Sequence, residues 1–98
     1  MAHTPAAVIR TEAQIGRHLA TWRRLRRLTA SEVADRAGVS VATVSRIERG
    51  SGASLENVLR VSRALGVMDP FAAALDPYTT EVGQLRAEEA LPKRVRAS

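Results

Sequence analysis

A stretch of twenty residues, Ala30–Arg49, constrains the fold of this chain more than any other feature. Each half has a short helical pattern, and a tight turn at Gly38 separates the halves. Ala34 is small where two helices would cross, since a large side chain there would push them apart. A Cβ at position 38 would resist the positive φ that such turns adopt. The inward apolar positions are Val33, Ala37, Val39, Val44 and Ile47. We therefore predict two helices packed at a steep angle.

The second half of this stretch keeps a polar outer surface. Its outward side chains are Ser40, Thr43, Ser45, Arg46 and Arg49. Hydroxyl and guanidinium groups are the groups that hydrogen-bond base edges and phosphate oxygens. The pattern therefore predicts a helix-turn-helix over 30–49 with a surface suited to DNA.

Composition restricts the class of protein. A chain of 98 residues makes one small domain, and without cysteine it has neither disulfides nor thiolate metal sites. A reducing cytoplasm is therefore the expected location. No apolar run approaches the roughly 18 residues of a membrane span, and the amino end lacks the apolar region of a signal peptide. We expect no membrane partner.

The positive charge is concentrated around the predicted motif. Residues 10–49 contain nine arginines and four acidic residues, which accounts for the whole net charge of +5. A basic half that contains a helix-turn-helix is typical of proteins that bind phosphate backbones. The alternative is a solvated surface in a chain that simply favours arginine over lysine.

The first predicted helix covers residues 12–26 and follows a flexible arm over residues 1–11. Ile15, Leu19 and Trp22 recur at helical spacing and are expected in the core. Four arginines between residues 23 and 27 are expected to face outward.

Local capping signals set the next three helices. Thr29 and Glu32 form a capping box at the start of the second helix, which ends at Gly38. Ser40 caps a third helix over 41–49, and Ser54 caps a fourth helix that ends at Gly66. We predict that these helices form an all-α fold.

Two Asp-Pro steps follow, at residues 69–70 and 76–77. Because proline is favoured at the first position of a helix, the first step predicts a fifth helix over 71–75 that closes the core with Phe71 and Leu75. The resulting five-helix domain spans residues 12–75. Residues 76–98 form a helical or flexible tail, with a further helix expected over 80–91.

Three segments carry a resemblance to a known family. They are IGRHLATWRRLRRLT, SEVADRAGVSVATVSRIERG and SLENVLRVSRALGV, and AGVS followed by TVSRIERG is the most specific part. Over residues 12–75 the chain resembles the lambda-repressor-like regulators, also called Cro/C1-type or Xre-type. The resemblance implies a usually homodimeric, sequence-specific regulator of transcription that is a repressor in many cases. Its third helix lies in the major groove, and two copies bind an inverted repeat.

The resemblance also implies roles for individual residues. Base-reading positions fall at Val41, Ala42, Ser45 and Arg46, and phosphate positions fall at Thr43, Arg49 and Ser51 in the loop after Gly50. Ser40 is mainly a cap, with phosphate contact as a second role. Arg23 and Glu48 occupy the positions of a structural ion pair. Arg46 suits guanine, while Val41 and Ala42 suit a thymine methyl, so we expect a half-site with at least one G and one T.

The chain departs from the family pattern at two positions. The family often has glutamine at position 30, where it binds the DNA backbone, and this chain has Ala30. The family also often ends its first helix with glycine at position 27. Here Arg27 either takes a strained left-handed conformation or the helix ends differently.

Catalysis, metal binding and cofactor binding are not expected. His3 lies in the arm, and His18 has no matching ligand set. Nothing places Ser, His and Asp as a triad, and no glycine-rich loop is suited to a phosphate cofactor. The alternative function is that of an antitoxin from a HipA/HipB-like pair, in which the tail over 80–98 binds a protein toxin and the DNA-binding domain regulates its own operon.

Overall fold

The structure, a computed structural model, describes residues 3–90. Within that range it contains helices and no strand, so the predicted all-α fold is confirmed. The chain divides into two compact units, the first ending at Met68 and the second beginning at Asp69. The elements are α1 (Ala6–Leu25), α2 (Ala30–Ala37), α3 (Val41–Glu48), α4 (Leu55–Leu65), α5 (Met68–Ala73), a 3₁₀ turn (Pro77–Thr79) and α6 (Glu81–Ala90).

Helices α2 and α3 form the expected motif. The Glu32 backbone N–H donates to Thr29 Oγ1 at 3.0 Å, and the Thr29 N–H donates to Glu32 Oε1 at 2.8 Å, so both halves of the capping box are present. Gly38 ends α2 with φ at 72°, a left-handed conformation that glycine adopts without steric cost. The chain can therefore turn sharply into α3.

The core of the first unit is aliphatic and comes from α1 to α4. Its fully buried members from α2 and α3 include Val33 and Val44, and α4 contributes Val61 and Leu65. Ser54 caps α4 by accepting from the Asn57 N–H at 3.1 Å. Buried aliphatic surface of this kind contributes about 25 cal/mol per Å² removed from water. It is the main stabilisation of a fold that lacks disulfides.

Helix α1 begins at Ala6, so the predicted flexible arm over 1–11 is wrong for residues 6–11. Residues 1–2 of that arm lie outside the described range. Val8 and Ile9 are about half exposed. Because no apolar face of this turn is buried, its sequence shows no amphipathic period, and the helix there depends on propensity and on continuity with the next turns.

Trp22 is 39% exposed, so the prediction that it belongs to the core is wrong. It lies at the margin of the Ile15 and Leu19 face rather than at its centre. The Arg26 guanidinium carbon is 5.1 Å from the centroid of the indole ring. Trp22 is thus covered on one face by a cation, which is a favourable arrangement for a partly exposed indole.

Gly16 sets the distance between α1 and α3. A Cβ at this position would lie 2.4 Å from the Ile47 carbonyl oxygen and 2.7 Å from that of Glu48. Both are backbone atoms, which cannot move aside as a side chain can. The absence of a side chain at residue 16 therefore allows α1 to pack directly on the carboxyl end of α3.

A strained residue lies two positions beyond the end of α1. Arg27 has φ at 59°, the one non-glycine residue with positive φ in residues 3–90. Of the two alternatives for this departure from the family pattern, the structure has the left-handed conformation. Its N–H still donates to the Arg24 carbonyl at 2.9 Å, so the turn is closed. The strain of a left-handed residue with a Cβ is about 1 kcal/mol.

The second unit differs from the prediction. The fifth helix runs over Met68–Ala73 rather than 71–75, with Asp69 inside its first turn. Leu75 is 81% exposed, so the prediction that it closes the core is wrong. Asp76 instead caps the 3₁₀ turn by accepting from the Tyr78 N–H at 2.9 Å. Each Asp-Pro step is a local signal for the start of a helix. Such a signal does not determine whether a later side chain of that helix is buried in the core.

Candidate nucleic-acid interface

The amino end of α3 is fixed by its cap. Ser40 Oγ accepts from the Thr43 N–H at 3.0 Å and lies 2.9 Å from Thr43 Oγ1. This satisfies one of the free N–H groups of the first turn. Thr43 is half-buried beside this cap. Both hydroxyls lie at the amino end of α3, next to the exposed Val41 and Ala42.

The inner and outer faces of α3 are clearly divided. Val44 and Ile47 are buried, while Val41, Ala42 and Arg46 are exposed. The exposed residues lie within one arc of the helix, because each step turns the helix by about 100°. Arg46 takes part in no ion pair with another residue of the described chain. This arc therefore presents methyl groups and one free guanidinium to solvent.

Ser45 and Arg49 are linked across one turn of α3. Arg49 Nη1 donates a hydrogen bond to Ser45 Oγ. A hydroxyl that accepts in this way keeps its own O–H as a donor. Ser45 is thereby set to donate to an acceptor such as guanine N7 or O6, and Arg49 is held at the edge of the same face.

The loop after α3 begins with a closed turn. The Ser51 N–H donates to the Arg46 carbonyl at 3.0 Å, and the Ser51 side chain is exposed. The structure thus brings together, on or beside α3, all eight residues for which a DNA contact is predicted. They are Ser40, Val41, Ala42, Thr43, Ser45, Arg46, Arg49 and Ser51.

Arg23 and Glu48 form an ion pair that joins α1 to α3. Arg23 Nε donates to Glu48 Oε2 at 2.7 Å and Nη2 donates to Oε1 at 3.2 Å, while Nη1 donates to the Leu28 carbonyl at 3.1 Å. The two side chains are only 19% and 16% exposed. The hydrogen bonds that Arg23 donates to the Glu48 carboxylate raise the pKa of Arg23. The pair holds α3 in place rather than facing a ligand.

The amino end of α2 is poorly suited to a phosphate. Ala30 packs against the core and offers no polar group, so the backbone N–H groups and the exposed Ser31 hydroxyl are what remain there for a phosphate. Glu32 places a carboxylate at this end. Its hydrogen bonds from the backbone N–H and the side chain of Thr29 lower the pKa of that carboxyl, which keeps the group charged. A second anion at this position would be repelled.

A cleft between α1 and α3 contains further candidates that the sequence analysis does not assign. It has a volume of about 440 Å³, and its lining includes Arg17, Thr21 and Arg24 from α1 together with Ser45 and Arg49 from α3. The signal in the sequence is the seven-residue spacing of Arg17 and Arg24. That spacing indicates one face of a helix but not which neighbour the face meets.

In residues 3–90 no group of three or more His, Cys, Asp or Glu side chains could hold a metal ion. None of the helices in that range is long and apolar enough to cross a membrane.

A family model described as helix-turn-helix, HTH_3, matches residues 19–67, which is half of the 98-residue chain. Comparisons with curated proteins and with solved structures give no match.

Proposed function

The chain belongs to the Cro/C1-type helix-turn-helix family of DNA-binding transcriptional regulators, and we propose that it is a repressor that binds an inverted-repeat operator as a homodimer. The observation that carries the proposal is the division of α3 into a buried aliphatic face and an exposed arc with an unpaired Arg46. Such a helix fits the major groove of B-DNA, which is about 12 Å wide. The cytoplasm is the compartment that we propose for this activity.

The exposed arc of α3 favours a particular kind of half-site. Arg46 can donate two hydrogen bonds to guanine O6 and N7, which is the commonest specific contact in the major groove. Val41 and Ala42 offer only methyl groups and suit the methyl of thymine. Ser45 adds one O–H donor. We propose a half-site with at least one G and one T, and two such half-sites about one helical turn apart in a two-fold operator.

The experiment is a selection of bound duplexes from a random pool, followed by titration of the enriched sequence. We expect a palindrome whose half-sites contain G and T, bound by two copies of the chain. A pool that shows no enriched sequence after several rounds would contradict specific recognition. An enriched but asymmetric site bound by one copy would contradict the homodimer.

A second candidate function is that of an antitoxin. The observation in its favour is α6, where Val82 and Leu85 are about two-thirds exposed although both are apolar. Exposed apolar side chains that lie beside charged ones suit a protein partner. The test is co-expression with the product of the neighbouring gene, if that gene encodes a kinase-like toxin. A complex that persists after deletion of residues 80–98 would contradict a toxin site in the tail.

A further inference from the structure

Helix α1 has a line of arginines on its outer face. Arg10, Arg17 and Arg24 are seven residues apart, and Gln14 and Thr21 lie between them at helical spacing. Seven residues are close to two full turns, with a drift of only about 20° per repeat. All three arginines are exposed. We call these three residues the arginine stripe, and at 1.5 Å per residue it is about 21 Å long.

The stripe runs into the proposed recognition surface. Arg17 and Arg24 line the cleft of about 440 Å³ whose other wall includes Ser45 and Arg49 of α3. The direct packing at Gly16 produces this proximity, since α1 and α3 have no side chain between them there. Guanidinium groups from two helices thus surround one cleft beside the base-contacting face.

The charge of the stripe is not neutralised within the described part of the chain. Among residues 3–87 the ion pairs are Arg23 with Glu48 and Arg60 with Glu56, and neither includes a residue of the stripe. Glu48 also lines the cleft, but both of its oxygens accept from Arg23. A polyanion is therefore the occupant that the cleft and the stripe favour.

The alternative site for backbone contact is weak. The amino end of α2, beside α3, has Ala30 in place of a polar side chain and carries the Glu32 carboxylate. A regulator that reads bases through α3 still needs phosphate contacts to set its position on the duplex. Beyond the phosphate positions expected at Thr43, Arg49 and Ser51, helix α1 is the neighbouring element that can supply further contacts.

We propose that the arginine stripe binds the phosphates of one DNA strand next to the bases that α3 contacts. The inference rests on the proposed function, because it takes the DNA position from α3. At one phosphate per 3.4 Å along each strand, a stripe of about 21 Å is long enough to contact several phosphates. The stripe supplies affinity and position, while α3 supplies sequence preference.

The test measures how the affinity of the full chain for its selected duplex falls with salt. The variant Arg17→Gln/Arg24→Gln removes two charges from the stripe. Arg63→Gln/Arg86→Gln, the control, removes two exposed charges from α4 and α6. Each lost phosphate contact reduces the slope of log K against log salt by about 0.9, and a dimer loses two contacts in each copy, so we expect the stripe variant to be shallower by about 3.6. The control keeps the slope of the unaltered chain.

Two further measurements distinguish the stripe from general effects. Arg17→Lys/Arg24→Lys retains both charges and is expected to restore the slope. The ratio of affinities for selected and scrambled duplexes is expected to stay unchanged in the glutamine variant, because phosphate contacts carry no sequence information. Arg10→Gln, at the exposed start of α1, removes one charge from each copy of the dimer, with an expected change in slope of about 1.8 in a protein whose core is untouched.

The outcomes separate the stripe from the proposed function. If the salt slope is the same in Arg17→Gln/Arg24→Gln and in the unaltered chain, the proposed phosphate contact of the stripe is wrong, whatever the sequence specificity. An equal reduction in the control also overturns it. An unaltered chain that binds selected and scrambled duplexes equally overturns the proposed function, and that result concerns a ratio of affinities rather than a slope.

Discussion

Arg23 of α1 holds Glu48 of α3 by two hydrogen bonds, from Nε at 2.7 Å and from Nη2 at 3.2 Å, in a position largely closed to water. The third donor of the same guanidinium binds the Leu28 carbonyl in the connection to α2. A single side chain thus ties the recognition helix to the two elements before it. We therefore expect the orientation of α3 on DNA to depend on this link.

Glu48→Ala is expected to destabilise the fold by about 2 kcal/mol, because the partly buried Arg23 charge loses its acceptor. Glu56→Ala breaks the exposed Arg60–Glu56 pair and is expected to cost about 0.3–0.5 kcal/mol. Urea unfolding of both variants measures the difference. Equal costs would show that Arg23–Glu48 behaves as a surface pair.

Arg46→Ala is expected to weaken binding to the selected duplex by about 1–3 kcal/mol for each half-site, since each copy loses a bidentate base contact. Binding to a scrambled duplex should change little. Arg63→Ala, an exposed arginine of α4, is the matched control. Titration of each variant with both duplexes decides the point. If Arg46→Ala weakened both duplexes to the same extent, Arg46 would be a phosphate contact instead.

Gly16→Ala is expected to destabilise the protein by about 1–3 kcal/mol, because the new Cβ would overlap the Ile47 carbonyl. Gly52→Ala is the control for backbone strain alone. Gly52 has φ at 92° but no heavy atom within 4 Å of an added Cβ. Thermal unfolding measures each variant against the unaltered chain, and a Gly16→Ala protein that is no less stable than the unaltered chain would argue against close packing of α1 on α3.

Arg27→Gly is expected to stabilise the protein by about 0.5–1 kcal/mol, because glycine tolerates φ at 59° without the steric cost of a Cβ. Arg24→Gly removes the same charge from a helical position and is expected to destabilise by about 1 kcal/mol. The two substitutions should therefore shift the midpoint of urea unfolding in opposite directions. A loss of stability in Arg27→Gly would show that residue 27 is not strained.

The capping box of α2 predicts a dependence of stability on pH. Hydrogen bonds from Thr29 lower the pKa of Glu32 below its ordinary value of 4.5. The folded state therefore binds this proton less readily than the unfolded state does. The contribution of Glu32 is fully present above pH 4.5 and is lost as pH falls through the folded pKa. Glu32→Gln should remove this part of the acid dependence. Thermal melts of the variant and the unaltered chain between about pH 3 and 7 measure it, and a difference in stability that stays the same across that range would contradict the prediction.

The sequence predicts those elements that have local signals. Thr29, Ser40 and Ser54 are caps whose partners lie three residues away, so α2, α3 and α4 begin where expected. The outward residues of α3 follow from helical spacing once its start is known. The first turns of α1 lack such a signal. Val8 and Ile9 are about half exposed, so no buried face gives this part of the sequence an amphipathic pattern.

Other features depend on contacts that are distant along the chain. Trp22 has the right spacing for the core but lies at the margin of its helix face, and the amphipathic pattern alone does not separate margin from centre. The cleft between α1 and α3 exists because Gly16 meets the backbone of residues 47 and 48. The spacing of the arginines is visible in the sequence, while their proximity to Ser45 and Arg49 is a property of the packed helices.

The absence of a side chain at Gly16 has a consequence for the choice of operator. With α1 seated directly on α3, the separation between the arginine stripe and the base-contacting arc is fixed. In DNA the distance from a base edge to a neighbouring phosphate changes with groove width and bending, which depend on sequence. A duplex that already has the matching groove geometry is bound without the cost of deformation. We therefore expect base pairs that no side chain touches to contribute to selectivity through the shape of the double helix.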